Sequence, residues 1–489
     1  MSPLDLRLRV RVDRPPAADR DFVLYWMTAA RRPGWNFALE RALWWARALG
    51  RPLVIFEPLR AGYRWASDRH HRFVIDGMAD NARAFAGRAV SYYPYLEAKP
   101  GDGAGLLAAL SARAAVVVGD EAPMFFLPRM VAAAERQVAC RFETVDSCGL
   151  LPLEAEPRAW PRAFSFRRAL QRLLPAHFEV WPVEDCLAGV ELPRLAALPA
   201  EITRRWPAAS ALDRAAHVER TIAIDHGVAP VEAVGGHVAG TARLHAFVDR
   251  RLARYDEERN KPGAGGSSGL SPWLHFGHVS AHQVFEAVAA REGWNPGRVA
   301  AKVTGAREGW WGMSAAAESF LDELVTWREL GWQFCHAEPR YAEYESLPDW
   351  ARLTLAEHRG DPRPELYSAA ELEAAQTADR LWNAAQNELR RDGVIHNYLR
   401  MLWGKKILEW SPTPEQALAV MVEQNNKWAI DGRDPNSYSG IMWVLGRFDR
   451  AWGPERPIFG KIRYMTSDST RRKYDVRGYV DAYADWPPG

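Results

Sequence analysis

FVLYWMTAARRPGWNFALERALWWARALGRPLVIFEPL, Phe22 to Leu59, decides the fold of the N-terminal part. An apolar run at 22–27 is followed by a helical stretch around Ala38–Leu49 and a second apolar run at 52–59, which is the order of a βαβ unit. Working outward, AVSYYPY at 89–95, AAVVVGD at 114–120 and RFETVDS at 141–147 read as further strands. Residues 1–150 are therefore expected to form an α/β domain, a Rossmann-like parallel sheet with helices on both faces. No GxGxxG follows the first strand, so the sheet carries no dinucleotide fingerprint.

From 151 to 205 the pattern gives way to Pro-rich, weakly periodic sequence (LLPLEAEPRAWPRAF, ELPRLAALPAEI), which reads as a connection between domains. Residues 206–489 then read as an all-α domain, interrupted by a Gly/Ser-rich turn at Pro262–Ser268 and a loop at Asp431–Gly440. No period of 20–50 residues recurs, which argues against a solenoid. The stretch Arg291–Ala317 reads as an inserted helical excursion with exposed tryptophans.

The 489 residues are 48% hydrophobic, enough for substantial cores in more than one domain. Lys plus Arg number 63 against 61 Asp plus Glu, so a polyanion partner would have to meet a local basic surface. The best such stretch runs from Arg447 to Lys473 and includes Lys461 and Arg463. Cys140, Cys148, Cys186 and Cys335 show no CxxC pair and no metal-ligand spacing, which argues against zinc, an iron–sulfur cluster or a disulfide framework. The N-terminus lacks an apolar signal core and no run approaches the roughly 20 apolar residues of a membrane span. A cytoplasmic protein without membrane contact is expected.

Four constellations could carry chemistry. SSGLSPWLHFG, Ser267 to Gly277, is a flexible turn feeding a helix start near Ser271, where hydroxyls and free backbone N–H groups suit a phosphate; it is equally an ordinary helix start. In FLDELVTWREL, Phe320 to Leu330, Glu323 and Trp327 lie four apart and share a helical face. A carboxyl group beside an indole suits a flat, uncharged substrate whose carbonyl oxygens gain charge, although the same pattern describes an amphipathic helix. In LWNAAQNELRRDGVIHNYLRMLWGKKILEW, Leu381 to Trp410, Trp403 and Trp410 are seven apart on one face and Trp382 stands on a neighbouring element. Such a row can pass electrons, and it is also a plain core stripe. Finally, IDGRDPNSY holds Asp431 and Asp434 in a polar turn, with Arg400 as a natural partner.

Taken together, LSPWLHFG, FLDELVTWREL, LWNAAQ, LRMLWGKKILEW, IDGRDPNSY and FGKIRYM, in that order, resemble the class II cyclobutane pyrimidine dimer photolyases of the photolyase/cryptochrome family. The resemblance is close over about 200–475 and loose over the N-terminal sheet. It implies a helical domain holding FAD and light-driven electron transfer to a dimer flipped out of double-stranded DNA. It assigns Tyr255, Ser267, Ser268, Gly269, Leu270 and Ser271 to the cofactor's phosphates and sugar. Phe320, Arg328, Arg400, Asp431 and Asp434 complete the cofactor set, and Asn425 faces the reactive ring nitrogen. Glu323 resembles the carboxyl that bonds the dimer's carbonyls, Trp327 and Trp443 the indoles that wall it, and Arg259 the arginine that enters the space it leaves. Trp382, Trp403, Trp410 and Tyr367 resemble the electron route, and Arg447, Lys461 and Arg463 would meet DNA phosphates.

Asn397 stands where class II relatives usually carry glycine and could touch the dimer; Asn426 replaces the usual aspartate. The segment Leu150–Arg168 diverges from its family counterpart, which leaves an antenna chromophore such as a deazaflavin open. Two other functions share the fold: a cryptochrome-like blue-light receptor and a (6-4) photoproduct photolyase. The chain ends soon after the last family motif, and His396 alone does not supply the histidine pair of the (6-4) enzymes. A monomeric repair enzyme is the expectation.

Overall fold

The computed structural model describes residues 4–486 and divides the chain into two compact units. Residues 1–156, 173–245 and 270–290 make the first; 157–172, 246–269 and 291–489 make the second.

The first unit is built on a six-stranded sheet of β1 (Leu8–Val12), β2 (Phe22–Trp26), β3 (Leu53–Leu59), β4 (Val90–Leu96), β5 (Ala114–Glu121) and β6 (Arg141–Asp146), in the order β1-β6-β5-β2-β3-β4. All pairs are parallel except β1 with β6. The edge strand β1 was not read from the sequence, although Leu8, Val10 and Val12 alternate with Arg9 and Arg11 in the period of a half-covered strand. Helices α1 (Phe37–Leu49), α2 (Asp68–Phe85), α3 (Leu106–Arg113) and α4 (Leu127–Glu135) follow the strands in turn.

All of β2 is buried, as expected for a strand covered on both faces. Phe22, Leu24 and Trp26 point into a core with Phe56, Leu106 and Phe142. Val23, Tyr25 and Met27 point into another with Phe37, Leu39 and Leu43. Asn36 caps α1 by accepting from Ala38 and Leu39 N–H. Asp120, at the end of β5, accepts from the backbone N–H of Thr28, Ala29 and Ala30 at 2.7–3.0 Å and so pins the turn after β2.

Later parts of the chain join this unit. Residues 206–236, expected to be helical, form only short 3-10 turns, and they wrap α2. There Arg72 binds Asp76 at 2.9 Å and Glu219 at 3.1 Å in a buried triad. The stretch 151–205, read above as a connection, contributes Leu187, Ile202 and Trp206 to the two cores. Of its helices, α5 (Ala163–Leu173) lies mostly in the second unit and α6 (Ala200–Arg205) in the first.

The remaining helices are α7 (His237–Arg250), α8 (Tyr255–Glu258), α9 (Ser271–His275), α10 (Ala281–Arg291), α11 (Ala315–Leu321) and α12 (Arg328–Ala337). Then come α13 (Asp349–Glu357), α14 (Ala369–Glu373), α15 (Arg380–Asp392), α16 (Asn397–Trp410), α17 (Pro414–Trp428), α18 (Pro435–Val444), α19 (Ser467–Lys473) and α20 (Arg477–Tyr483). Side-chain caps start the central ones: Asp379 for α15, Thr413 for α17 and Asp434 for α18. Gly404 lets α16, α17 and α18 close on one another, since a Cβ there would stand 2.6 Å from Val444 and 3.1 Å from the Met421 sulfur.

The 291–317 excursion is neither helical nor open. Before α11 it carries one 3-10 turn, Pro296–Arg298, and its Trp310 and Trp311 are buried. Its two arms are tied by Trp294 Nε1 donating to Trp311 O at 2.7 Å and Ala300 N–H donating to Trp310 O at 2.9 Å. The indoles find cover in each other, which removes the drive for an amphipathic helix.

Candidate active site

Glu323 and Trp327 sit on a segment that is not α-helical. Between α11 and α12, Asp322–Trp327 winds as a π-helix, a widened turn found frequently at functional sites. Glu323 is about a quarter exposed, and Arg259 Nη2 meets its Oε1 at 2.6 Å. Burial pushes the Glu323 carboxyl up, Arg259 pulls it down, and Asp322 pushes it up again. Asp322 is itself clamped by Arg167, at 2.7 and 3.0 Å. Below Arg259 lies Tyr255, its ring 5.6 Å from the guanidinium and packed edge-on against Phe247 and Phe320. The His396 ring hydrogen-bonds the Arg259 backbone, and burial lowers its pKa to about 4. Trp327 is half-buried, and Arg328 opens α12 with its guanidinium 4.9 Å over Trp332.

A second polar group gathers from α16, α17, the turn at 431–434 and α18. Arg400 Nη1 donates to Ser437 Oγ at 3.1 Å and Asn425 Oδ1 at 3.4 Å, and Nη2 to Asp431 Oδ1 at 3.4 Å. Asn425 Nδ2 donates to Gly432 O at 2.7 Å and Ser437 Oγ at 3.2 Å. Asp434 is occupied in part as the cap of α18, accepting from Asn436 N–H at 2.8 Å. Asn426 donates to Tyr438 OH at 2.9 Å, so the unusual residue is satisfied in the core. A cation, an amide, a carboxylate and a hydroxyl in one cluster can grip the alternating donor and acceptor edge of a flat heterocycle.

Three buried indoles and a phenol run from this cluster toward the surface. Trp403 lies one helical turn from Arg400 on α16. Trp382 Nε1 donates to Trp403 O at 3.0 Å, Trp382 meets Trp410 with centroids 5.4 Å apart, and Trp410 meets Tyr367 at 5.2 Å. The rings of Trp382, Trp410 and Tyr367 thus form a contacting row, which Trp382 ties to the Trp403 backbone, while the Trp403 indole N–H donates to Gln386 Oε1 at 2.8 Å. The half-buried Tyr367 donates its O–H to Glu365 at 3.1 Å.

Trp443 ends α18 between two cations. Lys405, fully buried, stands 5.1 Å from its ring and donates to Val444 O; Arg463, exposed, stands 5.5 Å away. Arg463 also covers Trp452 at 5.1 Å, and Arg450 covers Trp452 at 4.4 Å. The result is a ladder of alternating cations and indoles from core to surface. Lys405 was missed in the sequence, although it falls on the apolar stripe between Leu402 and Leu408. Ser437 was missed because a lone serine in a helix carries no signal.

Other named residues lie apart from these clusters. Arg447 turns inward, donating to Ser346 O with its guanidinium 4.2 Å over Phe334. That inward turn withdraws Arg447 from the basic surface expected at 447–473. Lys461 is exposed and pairs with Glu455 at 3.0 Å. Asn397 is exposed at the start of α16. Ser267 O accepts from Arg251 at 3.1 Å, Ser268 and Gly269 continue that turn, and Leu270 and Ser271 begin the 270–290 segment of the first unit. Among the described residues no acidic, His or Cys cluster could hold a metal and no helix is long and apolar enough to cross a membrane.

No family model matches the chain. It is 32% identical over 480 residues to the deoxyribodipyrimidine photo-lyase of Methanothermobacter thermautotrophicus, covering 97% of each chain. It is 33% identical over 489 residues to that of Oryza sativa subsp. japonica, covering 96% of this chain and 89% of that one. To that of Potorous tridactylus it is 32% identical, with 93% and 79% covered. Two solved structures share the fold. A class III photolyase from Agrobacterium tumefaciens matches with TM-score 0.65 and 15% identity over 95% of this chain and 86% of that one. A Synechocystis cryptochrome matches with TM-score 0.62 and 17% identity over 95% and 88%.

Proposed function

This chain belongs to the deoxyribodipyrimidine photo-lyase family, and from that premise we propose that it is a class II, FAD-dependent enzyme splitting cyclobutane pyrimidine dimers in double-stranded DNA with blue light. The observation that carries the reading is the ring row Trp382, Trp410, Tyr367, hydrogen-bonded through Trp382 to the backbone of Trp403, whose buried indole lies one helical turn from Arg400. A core stripe alone would not end beside a cation, an amide and a carboxylate suited to a flavin edge.

The donor set fits FAD. Arg400 and Asn425 offer N–H groups to ring carbonyls and nitrogens, while Asp431 and Ser437 hold Arg400 in place. Tyr255, Phe320, Arg328, Asp434 and the Ser267–Gly269 turn complete the proposed cofactor set of the helical unit. When bound and reduced, FAD supplies the light-driven electron that opens the dimer. The chain's part is to position, to stack and to stabilise charge. Glu323 would bond the dimer's carbonyls, and Trp327 and Trp443 would wall its rings, with Asn397 at the rim. Extrusion is favoured because a damaged pair already stacks and pairs poorly. Arg259, Lys461 and Arg463 offer cations to the duplex. We read the working unit as a cytoplasmic monomer.

We also infer an antenna chromophore, a deazaflavin, in the first unit at the carboxyl ends of β3 and β5. Ligands of α/β sheets sit outside such ends. Tyr63, Trp65, Phe125 and Phe126 cluster there, Trp65 stacked on Phe125 at 5.8 Å and Tyr63 within 5.2 Å of Phe126. Trp65 and Phe125 hold φ of +66° and +59°, a strained conformation that concentrates at binding sites.

The deciding experiment is the absorption spectrum of the purified protein followed by illumination with defined lesions. Flavin absorption and light-dependent loss of cyclobutane dimers are expected. A flavin-bearing protein inert on those dimers, or active only on (6-4) photoproducts, would overturn the proposal.

A further inference from the structure

The Arg259–Glu323 ion pair closes the position at which a lesion would have to bond. Arg259 Nη2 lies 2.6 Å from Glu323 Oε1 and its Nη1 donates to Ser319 O at 3.3 Å, so the guanidinium is held at two points. A carboxylate in this pair is ionised and can only accept. The carbonyl oxygens of a pyrimidine dimer also only accept, so an ionised Glu323 cannot bond them. Such a bond requires a proton on Glu323, and a guanidinium at 2.6 Å opposes that proton.

The other charged groups around Glu323 decide which way it goes once Arg259 leaves. On its own turn stands Asp322, whose charge opposes ionisation of Glu323 and is balanced by Arg167, with Arg307 Nε 3.8 Å from its Oδ2. From α8 comes the neutral phenol of Tyr255, and His396, bonded to the Arg259 backbone, is kept uncharged by burial. After Arg259, the cation that favours the carboxylate is the largely exposed Arg307. A flat uncharged base in place of the guanidinium would add desolvation and supply no charge.

Resting on the reading of Glu323 as the carboxyl that faces the dimer, we propose that Arg259 is a cap on Glu323 which the lesion displaces, and that the exchange is coupled to uptake of a proton by Glu323. The proton comes from solvent and forms an O–H bond on the carboxyl; no electron moves. The released guanidinium is then free to enter the space that the dimer leaves in the duplex. Arg259 is in this sense a positioning residue, acting through Glu323.

Calorimetry tests the coupling. Binding of dimer-containing and undamaged duplex is measured at pH 7 in phosphate and in Tris, whose ionisation heats differ, for wild type and Glu323→Gln. The expected result is a buffer-dependent heat that reports proton uptake for wild type on dimer DNA, none on undamaged DNA, and none for E323Q on dimer DNA. In the free protein, Arg259→Gln should raise the midpoint of the Glu323 carboxyl stretch, followed by infrared difference against E323Q, by roughly 1–3 pH units, the usual effect of losing a close opposite charge. Tight dimer binding without buffer dependence, uptake that persists in E323Q, or an unmoved midpoint in R259Q each overturns the cap and leaves the site itself standing. Failure to prefer dimer-containing duplex at all overturns the reading of the site together with the cap.

Discussion

Lys405 stands where a leucine would fit, fully buried beneath the indole of Trp443 with a backbone carbonyl for company. Burial holds its pKa down to about 7 against 10.5 for a free lysine. Between those values the unfolded chain binds a proton that the native chain lacks, so wild-type stability should rise with pH across that window, by up to about 1.4 kcal/mol per pH unit. Below pH 7 the native state carries the whole cost of a buried charge. Lys405→Met should therefore unfold at higher urea than wild type at pH 7, with the advantage shrinking toward pH 10; parallel pH profiles would show that Lys405 keeps its proton. The indole above it is tested by binding. A base stacked on an aromatic side chain contributes about 1–3 kcal/mol, so Trp443→Ala should weaken affinity for dimer-containing DNA by roughly 5- to 150-fold and leave undamaged duplex almost unchanged. Parallel weakening on both would move Trp443 from the lesion pocket to the general DNA surface.

At the scale of elements, the electron row shows what spacing can and cannot reveal. A seven-residue spacing of Trp403 and Trp410 on α16 was enough to place them on one face. The ring that touches Trp410 and bonds the Trp403 backbone, Trp382, comes from α15, and no periodicity within one helix reports a neighbour across two. The row predicts that Trp403→Phe blocks photoreduction of oxidised flavin while repair by chemically reduced enzyme continues, with some loss of stability from the gap a smaller ring leaves. Equal loss of both activities would make the stripe ordinary packing. The π-helix at 322–327 was illegible for a related reason: FLDELVTWREL has the composition of an α-helix, and the widened turn is settled by packing on either side. Conversely, β2 to β6 were legible because each is a short apolar run closed by turn residues. The edge strand β1, LRVRV, carried the alternation of a half-covered strand but not the apolar run by which the central strands were read.

For the whole molecule, the change from α/β grammar to helical grammar was plain in the sequence. The return of 206–245 and 270–290 to the first unit was not, because it rests on long-range pairs such as Arg72 with Glu219. The cofactor set was legible as motifs, while the partners that orient it, Ser437 with Arg400 above all, needed coordinates. Purified protein should carry FAD noncovalently at about one per chain, as read from its absorbance after heat release. A colourless preparation that is fully folded and cannot be reconstituted would remove the flavin and everything built on it. The interleaving of the two units has a consequence for synthesis. The first 156 residues leave the ribosome without the segments that complete their cores, and residues 157–172 and 246–269 emerge ahead of the helices they belong with. At 5–20 residues per second the nascent sheet waits on the order of ten seconds for residue 290. The chain is thus one whose two halves cannot be finished one after the other, and cutting its gene at residue 150 should yield two insoluble pieces in place of two domains.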